Sequence, residues 1–248
     1  MMQFFKQYLG KRRFRRIFLG LLGGLFSVWA IAFLQGPAIA QISQATVQEI
    51  LDGDQVFIEE VPAEVNAVAM LQQSISTKDS RASLLFSNNA AGRLGPNSAI
   101  TVGQCIEVKE GLLLASGPAN GCTANFEIGV QGTIYVMEVD DTGESRVKVL
   151  EGEVQVSSKQ QEDTQAVEQG NGLAVFPDGR LGKPAPLSQE EVESILNGSL
   201  FNGFALELPG MGNLQSALKS LYPDMNLPRL PGFNLPVPRP PGIPGLPF

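Results

Sequence analysis

Apolar and polar positions alternate most regularly over residues 129–157, GVQGTIYVMEVDDTGESRVKVLEGEVQVS. Val147 and Val149 alternate with Arg146 and Lys148; after Glu151-Gly152, Val154 and Val156 alternate with Glu153 and Gln155. A period of two belongs to strands with one dry face, and the Glu151-Gly152 break reads as a tight turn between two of them. Upstream, Ile134, Tyr135, Val136, Met137 and Val139 form a near-continuous apolar run that ends in the turn Asp140-Asp141-Thr142-Gly143. The pattern predicts three adjacent antiparallel strands, the first the most buried. Ile134, Val136, Val147, Val149, Val154 and Val156 are the expected core.

The same signal runs from Arg81 to Arg180. Short apolar stretches recur between turn residues such as Asn88-Asn89, Gly95-Pro96-Asn97, Gly117-Pro118, Gln169-Gly170-Asn171-Gly172 and Pro177-Asp178-Gly179. That rhythm predicts an all-β fold of antiparallel strands, a sandwich or a solenoid-like roll. No helical crossover separates the strands, so parallel pairing is not expected. Gly111 is placed to turn a hairpin between Gly103–Glu110 and Leu112–Ala115. Earlier, Ala45, Val47 and Ile50 have the spacing of a helical turn over residues 45–52, and a strand is expected over Gln55–Glu60. Val65, Val68 and Leu71 fit a strand or a short helix over 63–79.

After Lys183 the period changes. Ser188-Gln189-Glu190-Glu191 has the form of a capping box, ahead of an apolar stripe of Val192, Ile195 and Leu196 and a stop at Gly198. A second short helix is expected over Asn213–Tyr222, with Leu214, Ala217, Leu218 and Leu221 on one face. The end is proline-rich. Ten of the 17 prolines lie at or beyond Pro209, and Pro238, Pro241, Pro244 and Pro247 repeat at the polyproline II period of three. Residues 223–248 are therefore expected to be an extended, disordered tail, either a passive spacer or a ligand for an aromatic groove. Its many Leu, Ile, Val and Phe residues are unusual for a solvated linker and add weight to the ligand reading, with the passive spacer the first expectation.

Two separated motifs resemble a FecR-type domain, the extracytoplasmic module named after the ferric citrate regulator. Gly132-Thr133 followed by Val147-Lys148-Val149-Leu150-Glu151-Gly152-Glu153-Val154-Gln155-Val156 resembles the family's Gly-Thr strand and its V-x-V-x-x-G-x-V-x-V end. Ser80-Arg81-Ala82-Ser83-Leu84-Leu85-Phe86 resembles its Ser-Arg-Ala strand, and Leu94-Gly95-Pro96-Asn97-Ser98 its next turn. The resemblance spans roughly residues 45–180 and makes Ser80, Arg81, Gly95, Asn97, Ser98, Gly132, Thr133, Val149, Gly152 and Val154 the family-motif residues. The family's sigma-factor regulators carry a cytoplasmic N-terminal domain. Here 16 residues precede the apolar segment, and nothing resembles a sigma-factor-binding helix bundle. The resemblance thus implies the domain and not the iron-signalling role.

Those first residues read as a targeting segment. Lys6, Lys11, Arg12, Arg13, Arg15 and Arg16 precede an uncharged apolar run, Ile17 to Leu34, and Ala38-Ile39-Ala40 forms a cleavage pattern ahead of Gln41. Arg15-Arg16-Ile17-Phe18-Leu19 fits twin-arginine export as well as an arginine-rich Sec signal. An uncleaved anchor is the third reading, since 18 apolar residues just suffice to span a bilayer. Six of the 18 Lys and Arg lie before residue 41 and none of the 25 Asp and Glu do. The remainder has 12 cations against 25 carboxylates, a net −13 that repels nucleic acid and anionic lipid. The two cysteines, Cys105 and Cys122, form an even pair that favours a disulfide in an exported chain; a redox or metal pair is the rival.

Candidate chemistry is sparse. Without histidine, Ser-His-Asp and Cys-His sites cannot form. Asp52-Gly53-Asp54 is short of an EF-hand loop and reads as a turn. No catalytic, cofactor or metal site is expected. Carboxylate-based hydrolysis in the cell envelope stays formally open. The sequence is read as a signal peptide (1–40), a FecR-like β-domain (45–182), a helical extension (183–222) and the tail (223–248). The expected function is that of a non-enzymatic binding or scaffold module of the periplasm or cell envelope. Its partner would be a protein or envelope component, engaged through strand edges, sheet faces or the tail. The alternative is a membrane-anchored extracytoplasmic regulator.

Overall fold

The computed structural model describes residues 41–234; the leader and residues 235–248 of the tail lie outside the described residues. Seventeen strands, numbered in chain order, form two sheets that share one strand. Sheet A runs β4 (Val68–Met70), β1 (Gln44–Leu51), β6 (Arg81–Phe86), β7 (Ala91–Leu94), β9 (Ile106–Gly117), β12 (Thr133–Val139), β13 (Ser145–Glu151), β16 (Asn171–Val175) and β17 (Ala185–Pro186). Sheet B runs β3 (Val61–Pro62), β2 (Val56–Ile58), β5 (Ser74–Thr77), β8 (Ala99–Thr101), β9 again, β10 (Gly121–Cys122), β11 (Phe126–Val130), β14 (Glu153–Ser158) and β15 (Thr164–Glu168). The inner faces of both sheets meet in one core, with Val47, Leu84 and Tyr135 from sheet A against Ile75, Ile106 and Val156 from sheet B. The chain passes back and forth between the sheets, so the all-β expectation holds and the sandwich is wound as a roll.

The predicted core residues are all buried, but the pairing around them differs from expectation. β13 pairs with β12 and β16, whereas β14 pairs with β11 and β15. Glu151-Gly152 is therefore a corner at which the chain leaves sheet A for sheet B, and not a hairpin turn. Gly152 takes φ +83°, and a Cβ there would lie 2.8 Å from Thr133 Cγ2. Gly111 is likewise a corner inside one continuous strand. Residues up to Glu110 pair with β8 in sheet B, and residues from Gly111 onward pair with β12 in sheet A. With φ +82° and the Asn97 carbonyl 2.5 Å from where its Cβ would be, this site accepts only glycine.

The β9 corner also explains an unexpected parallel pair. Gly121 registers with Ile106 in the same direction. A parallel pair needs a crossover; here it is the second half of β9, which crosses to sheet A and returns through residues 118–120. Residues 45–52 are strand and not a helical turn. A bulge between Val47 and Glu49 shifts the period by one, which produces the helix-like spacing of Ala45, Val47 and Ile50. The expected Gln55–Glu60 strand shortens to Val56–Ile58 because Glu59 and Glu60 turn with positive φ. The ambiguous 63–79 stretch supplies β4 and β5 and no helix.

Two helices, α1 (Gln189–Asn197) and α2 (Met211–Leu221), follow. The capping box at Ser188 is formed: Glu191 N–H donates to Ser188 Oγ, and Ser188 N–H donates to Glu191 Oε2. Gly198 ends α1 in an extended conformation, its N–H donating to the Ile195 carbonyl. Val192, Leu196, Leu214 and Leu218 cover Leu114, Ile134, Val136 and Leu150 on the outer face of sheet A. That second cover explains why β12 is apolar at nearly every position. Leu221, expected on the apolar face of α2, is 39% exposed, because it stands at the end of the helix. The start of the tail is packed and not disordered. Met225 is buried, and Leu227, Leu230 and Phe233 pack on the helical cluster. Asn234 and Gln215 exchange two hydrogen bonds, at 2.9 and 3.3 Å. Its apolar residues find a hydrophobic floor there, which composition alone could not foretell.

Candidate interaction surface

Both sheets have an open edge in the same segment, residues 61–70. Among the described residues β3 is the last strand at this end of sheet B and β4 the last at this end of sheet A. Each is very short, and the turns around them use positive φ at Glu60, Asn66 and Gln72. The segment is held from one side, by Asn66 N–H donating to the Val47 carbonyl and Ala63 N–H to the Val56 carbonyl. Along it Val61, Val65, Val68, Met70 and Leu71 are exposed, Val61 at 65% and Met70 at 53%. The register Val68–Thr46–Leu85 carries this apolar character across the outer face of sheet A, where Leu85 is also exposed. Unpaired strand edges beside exposed apolar side chains are chemically suited to strand addition or apolar docking. The acidic residues Glu60 and Glu64 edge the patch and are exposed.

The family-motif residues occupy corners and joints, away from that patch. Ser80 is fully buried and accepts from Gln55 N–H at 2.9 Å. Asn97 turns with φ +50°, and Ser98 Oγ accepts from Leu112 N–H at 2.9 Å, which locks the Gly95–Ser98 turn on the β9 corner. Gly95 itself packs on Leu112. Gly132 turns with φ +81° into β12, and Thr133 lies buried beneath Gly152. Val149 and Val154 are core residues on the two sides of the Gly152 corner. The structure thus gathers Gly132, Thr133, Val149, Gly152 and Val154 at one corner and Gly95, Asn97 and Ser98 at another. Each set has a packing role.

Arg81 reaches the segment that joins the two helices, and it does so beside an arginine that no sequence motif marks. Arg81 pairs with Asp52 and donates to the carbonyls of Ser199 at 2.7 Å and Asn202 at 2.6 Å. Arg93, 2% exposed, donates to the carbonyls of Leu200 at 3.1 Å and Leu206 at 2.7 Å. Its guanidinium carbon lies 4.4 Å from the Phe204 ring centre and 5.8 Å from that of Phe201. Glu49 accepts the Ala205 N–H at 2.8 Å from the opposite side. This clasp fastens residues 199–206 to sheet A. Burial draws Arg93 down to about 10, so it stays charged at neutral pH. A lone arginine within Ala90-Ala91-Gly92-Arg93-Leu94 was the available signal.

Cys105 and Cys122 form a disulfide, with Cα atoms 5.7 Å apart. It joins the start of β9 to the two-residue β10, beside the parallel pair, and closes the loop that contains the crossover. Among the described residues no Asp or Glu is fully buried, and no cluster of three His, Cys, Asp or Glu is arranged to hold a metal ion. Asp52-Gly53-Asp54 is a turn, with Asp52 committed to Arg81. The hollow under residues 158–164, about 590 Å³, is open and lined by polar side chains. No described helix is long and apolar enough to cross a membrane.

No family model matches the chain. No curated protein matches it either. Two solved structures, each described as a putative anti-sigma factor from Parabacteroides distasonis, are similar at TM-scores of 0.45 and 0.44, both with 16% identity. They cover 53% and 60% of this chain and 67% and 74% of their own. Similarity at this level identifies neither a family nor an activity.

Proposed function

We propose that the chain is an exported, non-enzymatic recognition module of FecR-like type, which acts in the periplasm or cell envelope by docking a protein or envelope component on its open β3–β4 edge. The observation that carries this reading is the coincidence of two strand edges, unpaired among the described residues, with exposed Val61, Val68 and Met70. Sheet edges are kept from pairing by short strands, charge or proline, and both of these edge strands are short. Pro62 adds to this on β3, whereas β4 carries no charge or proline and turns Val68 and Met70 outward. Export is supported by the basic and apolar leader ending in Ala38-Ile39-Ala40, and by a disulfide of the kind that persists in oxidising compartments.

Two measurements test it. Mass spectrometry of the envelope form should give Gln41 as the N-terminus; retention of residues 1–40 would favour the anchored regulator, for which Ile17–Leu34 is long enough. Val68→Asp with Met70→Asp should abolish recovery of envelope components on the immobilised full chain without lowering its melting temperature. Unchanged recovery would remove the edge as the docking surface.

A further inference from the structure

A groove on the outer face of sheet A lies where the helical cover stops. Its floor is Ser83, Leu85 and Ala91, and its far wall is the segment Leu206–Gly210 that leads into α2. The groove holds about 420 Å³. Leu85 is 41% exposed and Leu206 44%, so two large apolar side chains line it while remaining largely uncovered by the described residues.

The chain itself returns to this wall. Gly232 is packed so closely on it that a Cβ would lie 2.6 Å from Glu207 Oε1 and 2.7 Å from Met211 Cβ. Asn234 is then pinned to Gln215, one turn into α2. The described chain therefore ends about one helical turn from the groove wall. The 14 residues that follow carry Leu235, Val237, Ile243, Leu246 and Phe248 with a single charge, Arg239. We infer that residues 235–248 of this chain are the occupant of the groove.

The chemistry of the segment fits the floor. Six of its residues are proline, which lack a backbone donor and so need no ladder partner. An extended proline-rich strand presents side chains to a groove at little entropic cost, because its backbone is already restricted. At about 3.1 Å per residue the segment reaches about 43 Å. Crossing from β7 to Leu85 on β6 takes one strand spacing, about 5 Å. The tail can thus cover Leu85, with Glu207 at the rim as a carboxylate for Arg239. The apolar residues of the tail are satisfied within its own chain, independently of any partner on the β3–β4 edge.

Photocross-linking in the full chain tests this. Leu85→benzoylphenylalanine and, separately, Leu206→benzoylphenylalanine should each give an intramolecular cross-link to a peptide from residues 235–248. Adding Val237→Asp and Ile243→Asp removes two apolar anchors and should lower the yield about tenfold or more. Cross-links confined to residues 41–234, cross-links between two copies, or a yield that the double variant leaves unchanged would each overturn the inference. The edge reading is decided at Val68 and Met70 with the tail intact, so the two stand or fall separately.

Discussion

Arg93→Ala should loosen the C-terminal cover of sheet A before it unfolds the sandwich. The guanidinium is 2% exposed and makes two hydrogen bonds, to the carbonyls of Leu200 and Leu206, over the face of Phe204. Bonds from a charged donor are each worth about 1.5–3 kcal/mol, and the aromatic contact adds about 1 kcal/mol. Against these stands the desolvation of the ion, several kcal/mol, together with a buried Nε that has no partner. The balance leaves about 3 kcal/mol lost on truncation, because the buried Leu200 carbonyl loses its donor and a cavity opens beneath Phe204. Arg93→Met fills that cavity and brings no ion to desolvate, so it should cost about 1 kcal/mol. Urea denaturation at pH 7 gives both numbers, and limited proteolysis reports whether residues 199–206 open first. If Arg93→Ala falls within about 0.5 kcal/mol of the parent, desolvation cancels the bonds and the clasp anchors nothing. If Arg93→Met is as damaging as Arg93→Ala, the charge matters more than the packing.

Cys122→Ser should cost about 2–4 kcal/mol, read as a lower midpoint in the same titration under non-reducing conditions. Val149→Asp places a carboxylate in the core of sheet A and should abolish the cooperative melt; a transition within a few degrees of the parent would show the register to be wrong. Gly132→Ala and Gly111→Ala form a matched pair, at φ +81° and +82°. The first meets nothing within 4 Å and should cost about 1–2 kcal/mol for the left-handed backbone alone. The second collides with Asn97 and Ser98 and should lose about 3–5 kcal/mol. Asp52 has its carboxyl held below the usual range by its hydrogen bond to Arg81. Its contribution is present above the unfolded carboxylate value and is lost as pH falls through the lowered one. The difference in melting temperature between the parent and Asp52→Asn should therefore vanish in strong acid and persist at pH 7.

Much of this molecule was legible in its sequence because the signals concerned are local. The period of two in 145–156 depends on which face of a strand is dry, and that survives any change of partner. The Ser188 capping box is a contact between residues three apart. The disulfide followed from an even pair of cysteines in a chain that reads as exported. The Arg93 clasp was not legible, since its carbonyl partners lie more than 100 residues away and any backbone carbonyl can serve. Nor was the packing of Met225 and Phe233, because a proline-rich composition reports what the backbone cannot do and says nothing of what the side chains find.

The corners show where the reading of alternation reaches its limit. At Glu151-Gly152 and at Gly111 the sequence offers a glycine flanked by alternating residues, the same pattern that a hairpin offers. In a hairpin the two arms lie side by side, and a glycine supplies the left-handed turn. In this roll the glycine supplies the same backbone conformation, but the arms join different sheets. Inward-facing residues stay inward in both cases, so burial is predicted correctly while pairing is not. What separates the two is the close approach at the glycine. Gly152 lies on Thr133 of β12, and Gly111 on Asn97 and Ser98 of the turn before β8. In both places a motif residue from a distant part of the chain fills the space that a side chain would need. The motif residues are thus the complement of the corners, and the corners are what carry the chain from one sheet to the other.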